Sequence, residues 1–139
     1  MNFKDRLLEL SNGTKISKIV ADLNLSSGIF YQWKNGVQNP SLDYLIKLAN
    51  YFECSLDYLL GRTEDNSKYK AIQSKSFYEQ FEKIIEEKGI TKYQLVKQKI
   101  ISKGNQYDWE HDKSKPSMDN LIKLADYLNV SVDHLVGRE

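Results

Sequence analysis

Cys54, His111 and His134 are the side chains best suited by type to metal or nucleophilic chemistry, and their spacing suits neither. One cysteine cannot form an internal disulfide, and two scattered histidines give no zinc-ligand pattern. No glycine-rich phosphate loop and no nucleophile-elbow motif occurs, and the carboxylates fall beside serines that can cap helices or along helical faces. No enzyme activity, cofactor or metal is expected. The chemistry left is hydrogen bonding from one short segment that occurs twice: "SSGIFYQWKNG" from Ser26 and "SKGNQYDWEHD" from Ser102. Ser, Gly, Tyr and Trp return at the same offsets, while most residues between them change.

The elements around that segment are duplicated too. Offset by 76 positions, Pro40 to Arg62 matches Pro116 to Arg138 at 14 of 23 positions, which chance does not give. The period exceeds the roughly 20 to 50 residues of stacked solenoid repeats, so two self-sufficient domains are expected, residues 1–62 and 77–139. Residues 63–76 between them are polar and read as a linker.

Helical spacing runs through each copy. Phe77, Phe81, Ile84 and Ile85 recur at i, i+4, i+7 and i+8, with Phe3, Leu7, Leu8 and Leu10 a looser equivalent. Gly13 and Gly89 end these first helices. Ile19, Val20 and Leu23, or Leu95 and Val96, mark a second, and Ser26 and Ser102 are N-cap candidates for a third. Ser41 and Ser117, each after a proline, begin a fourth; Ser55 and Ser131 cap a fifth that ends at Gly61 and Gly137. Asp43, Asp57, Asp119 and Asp133 stand in first turns, where the helix dipole favours negative charge. Nothing alternates with period two, so the fold class is all-α, two tandem five-helix domains. A soluble, cytoplasmic protein is expected, since no apolar run approaches the roughly 20 residues of a membrane span.

A second and third helix separated by a short turn, within five, is the arrangement of a helix-turn-helix reader. Gly13 to Leu60 and Gly89 to Val136 resemble the Cro/cI-type (XRE) helix-turn-helix family, the lambda-repressor-like fold, with "SSGIFYQWKNGVQNPS" similar to its third helix and following loop. The resemblance implies a DNA-binding transcription regulator of phage-repressor type, with the third helix in the major groove and the second across the backbone. It places Ser26, Ser27, Gly28, Ile29, Tyr31 and Gln32 outward in the first copy. Their counterparts are Ser102, Lys103, Gly104, Asn105, Tyr107 and Asp108. Gln32 and Asn105 then suit adenine, Lys103 a guanine or a phosphate, and Lys34, Asn35, Lys113 and Lys115 the backbone; Gln106 and Lys92 complete the implied DNA-facing set. Trp33 and Trp109 are expected to pack inside, Cys54 to act as a small core hydrophobe, and Tyr58 and His134 to lie on a partly exposed face.

The second copy departs from the pattern. Lys99 stands in place of Leu23, Gln106 in place of Phe30, and Ile100 in place of Asn24, where a β-branched residue is costly in a left-handed turn. Either the motif has shifted by a residue, letting Ile100 fill the Leu23 site, or it has opened locally. Asp108 on a reading face repels phosphate, whereas Lys92, Lys97, Lys103, Lys113 and Lys115 make this copy the more basic near the motif.

The expected partner is a double-stranded operator. Two heads in one chain suggest a built-in pseudo-dimer for half-sites about 34 Å apart, and a linker of about 15 residues reaches about 50 Å. Further association as a homodimer or with another regulatory protein is open, and no membrane partner is expected. The alternative is a protein-interaction module on the same fold, such as an antitoxin or antirepressor, motivated by a net charge of only +1 and the altered second motif.

Overall fold

The computed structural model describes residues 1–139 and divides into two compact units, Met1–Lys70 and Ala71–Glu139. Unit 1 holds α1 (Phe3–Ser11), α2 (Ile16–Leu23), α3 (Ser27–Lys34), α4 (Leu42–Tyr51) and α5 (Leu56–Leu59). Unit 2 holds α6 (Phe77–Glu87), α7 (Lys92–Lys97), α8 (Lys103–Glu110), α9 (Met118–Leu128) and α10 (Val132–Leu135). No strand forms; an isolated bridge joins Gln73 and Arg138. No helix is long and apolar enough to cross a membrane.

Side-chain caps start nine of the ten helices, α2 being the exception, because the first turn of a helix leaves amides without intrahelical acceptors. Ser26, Ser41, Ser55, Ser102, Ser117 and Ser131 each accept a backbone N–H, as expected from the sequence. Ser76 does the same for α6, a cap the sequence pattern did not single out. Each core gathers one face of every helix: Phe3, Leu7, Ile19, Phe30, Trp33, Leu45, Leu48 and Leu59 in unit 1, and Phe77, Phe81, Leu95, Trp109, Leu121, Leu124 and Leu135 in unit 2. Leu8 faces out and Leu23 is only half-buried, so these two of the helically spaced apolar residues lie at the edge of the core.

The two units close in the same way. Arg62 turns back to the Asp57 carboxylate, and Arg138 reaches Asp133 at 2.6 Å, fully inside the core. The aspartates therefore act as ion-pair partners as well as dipole complements. Gly61 and Gly137 supply the positive φ of the cap, and a Cβ on either would meet the backbone oxygen of Met1 or Lys75 at 2.5 or 2.6 Å.

Those oxygens reveal a register change. Met1 matches Lys75, Phe3 matches Phe77 and Leu7 matches Phe81 at an offset of 74, two fewer than in the rest of the repeat, because α6 is 11 residues long and α1 is 9. In that register Arg6 matches Gln80. Arg6 Nε donates to the Tyr58 carbonyl at 2.8 Å, and Gln80 Nε2 donates to the His134 carbonyl at 2.9 Å. Tyr58 is accordingly buried under the guanidinium, 3.7 Å from its ring, where a partly exposed position was expected; His134 remains half-exposed.

Residues 63–76 hydrogen-bond to the unit on their own side. Arg6 donates to the Thr63 carbonyl and Tyr69 N–H to Glu53, while Ile72 and Ser74 donate to Glu139 and Gly137.

Candidate nucleic-acid interface

In unit 1 the α2–α3 turn rests on one left-handed residue. Asn24, at φ 56°, lets its own N–H reach the Ala21 carbonyl and the Leu25 N–H reach Val20 at 2.8 Å, after which Ser26 Oγ accepts the Ile29 N–H and α3 begins. Phe30 and Trp33, on one face of α3, are buried, and Trp33 packs 5.4 Å from the Tyr44 ring of α4. The expected scaffold role of Trp33 holds. With that face fixed, Ser27, Gly28 and Gln32 point to solvent, and the side chains of Ser27 and Gln32 have no partner. Tyr31 is exposed with the Lys34 ammonium 5.6 Å from its ring, while Ile29 and Lys34 are half-buried.

Two residues near this face escaped the sequence reading. Val37 is 74% exposed in the loop after α3, and the aliphatic stem of Lys4 lies against Gly36. An apolar side chain in a polar loop was the available signal for Val37; Lys4 gave none, because its approach is purely tertiary.

Unit 2 builds the same motif with one residue moved. Lys99, at φ 60°, takes the left-handed position; its N–H meets Val96 and the Ile100 N–H meets Leu95 at 2.9 Å, reproducing the Asn24 and Leu25 bonds at an offset of 75. The offset returns to 76 at the Ser102 cap, so α7 is shortened and the turn gains a residue. Of the two expectations the one-residue shift is correct, but Ile101, not Ile100, goes into the core. Lys99 stays exposed and Gln106 half-buried, so neither becomes the unpaired buried group that the simple repeat alignment implies.

The outward faces of α3 and α8 differ in chemistry. Asn105 is drawn into a capping box: its Oδ1 accepts from the Ser102 hydroxyl at 2.8 Å and the Ser102 N–H at 3.3 Å, leaving only its amide hydrogens to donate. Bidentate pairing with adenine needs both a donor and an acceptor, so the implied role of Asn105 is blocked in this conformation. Lys103 and Gly104 are exposed; Asp108, half-buried, occupies the place of Gln32. The Tyr107 ring has His111 stacked 4.1 Å away and the Lys113 ammonium at 5.0 Å.

Lys92 is tied down. It donates to the Tyr78 hydroxyl at 2.6 Å and to Glu82 at 3.0 Å; burial lowers its pKa, but these two partners outweigh it and the ammonium is held above its ordinary value. From Lys92 to Lys115 six lysines stand against three carboxylates, where the matching stretch from Ile16 to Asn39 has two lysines and one carboxylate, so the second copy is the more basic; its excess lies in α7 and the turn, because from Ser102 to Lys115 three lysines face three carboxylates. Trp109 is buried as expected, though its indole N–H has no acceptor. Cys54 is buried, in keeping with a core role, and no cluster of metal-ligating side chains exists.

Residues 80–139 match a family model described as a Cro/C1-type helix-turn-helix DNA-binding domain, and residues 31–59 match a helix-turn-helix model. No curated protein and no solved structure matches the chain.

Proposed function

The chain belongs to the Cro/C1-type helix-turn-helix family, with a copy of the domain in each unit, and from that premise we propose that it is a sequence-specific transcription regulator of repressor type. DNA binding is the property of the family. The finer reading is that α3 of unit 1 enters the major groove as the principal reader, while unit 2 docks beside it on an unlike half-site. The observation that carries it is the two-sidedness of α3: Phe30 and Trp33 anchor one face, and Ser27 and Gln32 present unpartnered hydrogen-bonding groups on the other. Gln32 offers a bidentate partner for adenine, and Lys34 and Asn35 lie where phosphate contacts would position the helix. Such a protein acts where its operator is, in the cytoplasm.

Selection of bound sequences from random duplexes by the full chain tests the reading. An asymmetric consensus is expected, with one half lost in the Gln32→Ala variant. Recovery of no consensus, or a binding constant insensitive to salt, would overturn it. Neutralising about eight phosphates gives a slope of log K against log salt near −7.

A second reading is favoured for unit 2 by Asp108. A carboxylate at the place of Gln32 is poorly suited to an anionic helix, so α8 would serve a regulatory protein, as in an antitoxin or antirepressor. Isolation of a stoichiometric protein complex that survives Gln32→Ala and is lost on changing Asp108 would select it.

A further inference from the structure

Asn105, which stands in the place of Ile29, lines a pocket in unit 2. In unit 1 the wall between α3 and α4 beside the motif is apolar: Ile29 is half-buried, and the Tyr44 ring packs on Trp33 with the Lys47 ammonium 5.4 Å from it. At the matching places unit 2 carries Asn105, Asn120 and Lys123. Ile29 and Tyr44 are thus replaced by carboxamides, and Lys123 lacks the ring that Lys47 faces. Lys99, which holds the turn position of Asn24, adds a second ammonium. These four side chains, with Ser102 and the aliphatic Val96, Ile100 and Ile101, line an open pocket of about 350 Å³.

The polar groups in this pocket are biased to donate. Asn105 Oδ1 is consumed by Ser102, so its free hydrogens are donors; Lys99 and Lys123 form no ion pair, and no carboxylate lines the cavity. Two ammonium groups and an amide donor without a facing anion match the acceptor-only shell of a phosphate. We propose that this pocket of unit 2 is a phosphate-binding site, filled by a small phosphorylated molecule or by a phosphate of a DNA backbone. It would let unit 2 couple anion binding to the motif itself, because Lys99 and Ser102 belong to the turn that orients α8. The site is independent of what α3 reads.

Titration of the full chain with inorganic phosphate, with glycerol phosphate as a monoester, and with duplex DNA, followed by backbone amide shifts, tests it. Chloride at matched ionic strength controls for screening. The free-ligand source predicts saturable shifts of Lys99, Ser102, Asn105 and Asn120 with either phosphate compound, reduced about tenfold or more in affinity in the double variant Lys99→Gln/Lys123→Gln. The backbone source predicts no saturation with the small probes, and in the same variant a salt slope for DNA smaller by about 0.9 for each phosphate no longer neutralised. A second variant, Asn105→Ile/Asn120→Tyr, refills the space with the residues of unit 1 and should abolish whichever signal is seen while circular dichroism stays helical. Pocket amides that no probe moves, or signals that survive both variants, would overturn the proposal. DNA binding that persists with an unchanged slope would leave the reading of α3 intact.

Discussion

The two units solve one packing problem with different residues in the places that touch their surroundings. Unit 1 joins α1 to α5 with an arginine, Arg6, whose guanidinium reaches the Tyr58 and Thr63 carbonyls and the exposed Glu9 and Glu64; unit 2 uses a neutral glutamine, Gln80, for the equivalent carbonyl. Unit 2 instead buries its charge at the other end, where the Arg138 and Asp133 side chains are 1% and 3% exposed against 22% and 13% for Arg62 and Asp57. The difference teaches that a repeat fixes which backbone groups need partners, not which side chains supply them.

The largest test of this contrast is removal of the two closing arginines. Arg138→Ala leaves a carboxylate in the core without its cation and should destabilise unit 2 by about 3–5 kcal/mol. Arg62→Ala exposes Asp57 to water more readily, and a loss of about 1–2 kcal/mol is expected in unit 1. Each unit holds one tryptophan, so denaturant curves followed by fluorescence, with the other tryptophan replaced by phenylalanine, report the units separately. Equal losses would show that burial does not distinguish the pairs.

The same measurement applied to the opposite end should reverse the ranking. Arg6→Ala strands the Tyr58 and Thr63 carbonyls and uncovers the Tyr58 ring, for a loss of about 2–3 kcal/mol, whereas Gln80→Ala removes a neutral donor and should cost about 1 kcal/mol. Arg6→Gln is the sharper variant. If the two units share one architecture there, it retains the bond to the Tyr58 carbonyl and recovers part of the loss.

On DNA the contrast is between Gln32 and Asp108. Gln32→Ala should weaken binding to the selected operator by about 1–3 kcal/mol and relax the preference at one base pair. Asp108→Ala, by removing a like charge from the groove side, should strengthen binding to random duplexes a few-fold at low salt and lose that effect as the Debye length shortens. Fluorescence anisotropy on both kinds of duplex at two salt concentrations checks it. A stronger loss from Asp108→Ala than from Gln32→Ala would invert the assignment of the principal reader.

The serine caps and the five helices per copy were legible in the sequence because they depend on local chemistry: an oxygen placed before a helical run has few other uses. The burial of Trp33 and Trp109 was legible from their recurrence among changing neighbours. What escaped was register. A single offset of 76 hid the pairings of Met1 with Lys75 and Arg6 with Gln80, since the longer α6 moves everything at its start out of step with the rest of the repeat. The place of Asp57 and Asp133 was read from the helix dipole, and their arginines five residues on were overlooked, because an i, i+5 ion pair appears only once the chain reverses at the glycine. The capping box at Ser102 and Asn105 lay within reach, as its spacing is that of the familiar Ser-x-x-Glu pattern with a shorter amide in place of the acid.

The smallest effect expected is also the most specific to the shifted turn. Asn24 and Lys99 hold the same left-handed conformation, φ 56° and 60°, but a short polar side chain tolerates it far better than a long aliphatic stem. Replacing Lys99 by glycine relieves about 1–2 kcal/mol of Cβ strain and gives back about 0.5–1 kcal/mol through the greater freedom of the unfolded chain, so unit 2 should gain up to about 1.5 kcal/mol. Asn24→Gly in unit 1 has less strain to relieve, and its effect should fall near zero or be slightly unfavourable. If the turn had instead opened around Ile100, the strain would sit there, Lys99→Gly would destabilise unit 2 through chain entropy alone, and Ile100→Gly would be the stabilising change. The signs of these two substitutions therefore decide where the second copy carries its extra residue.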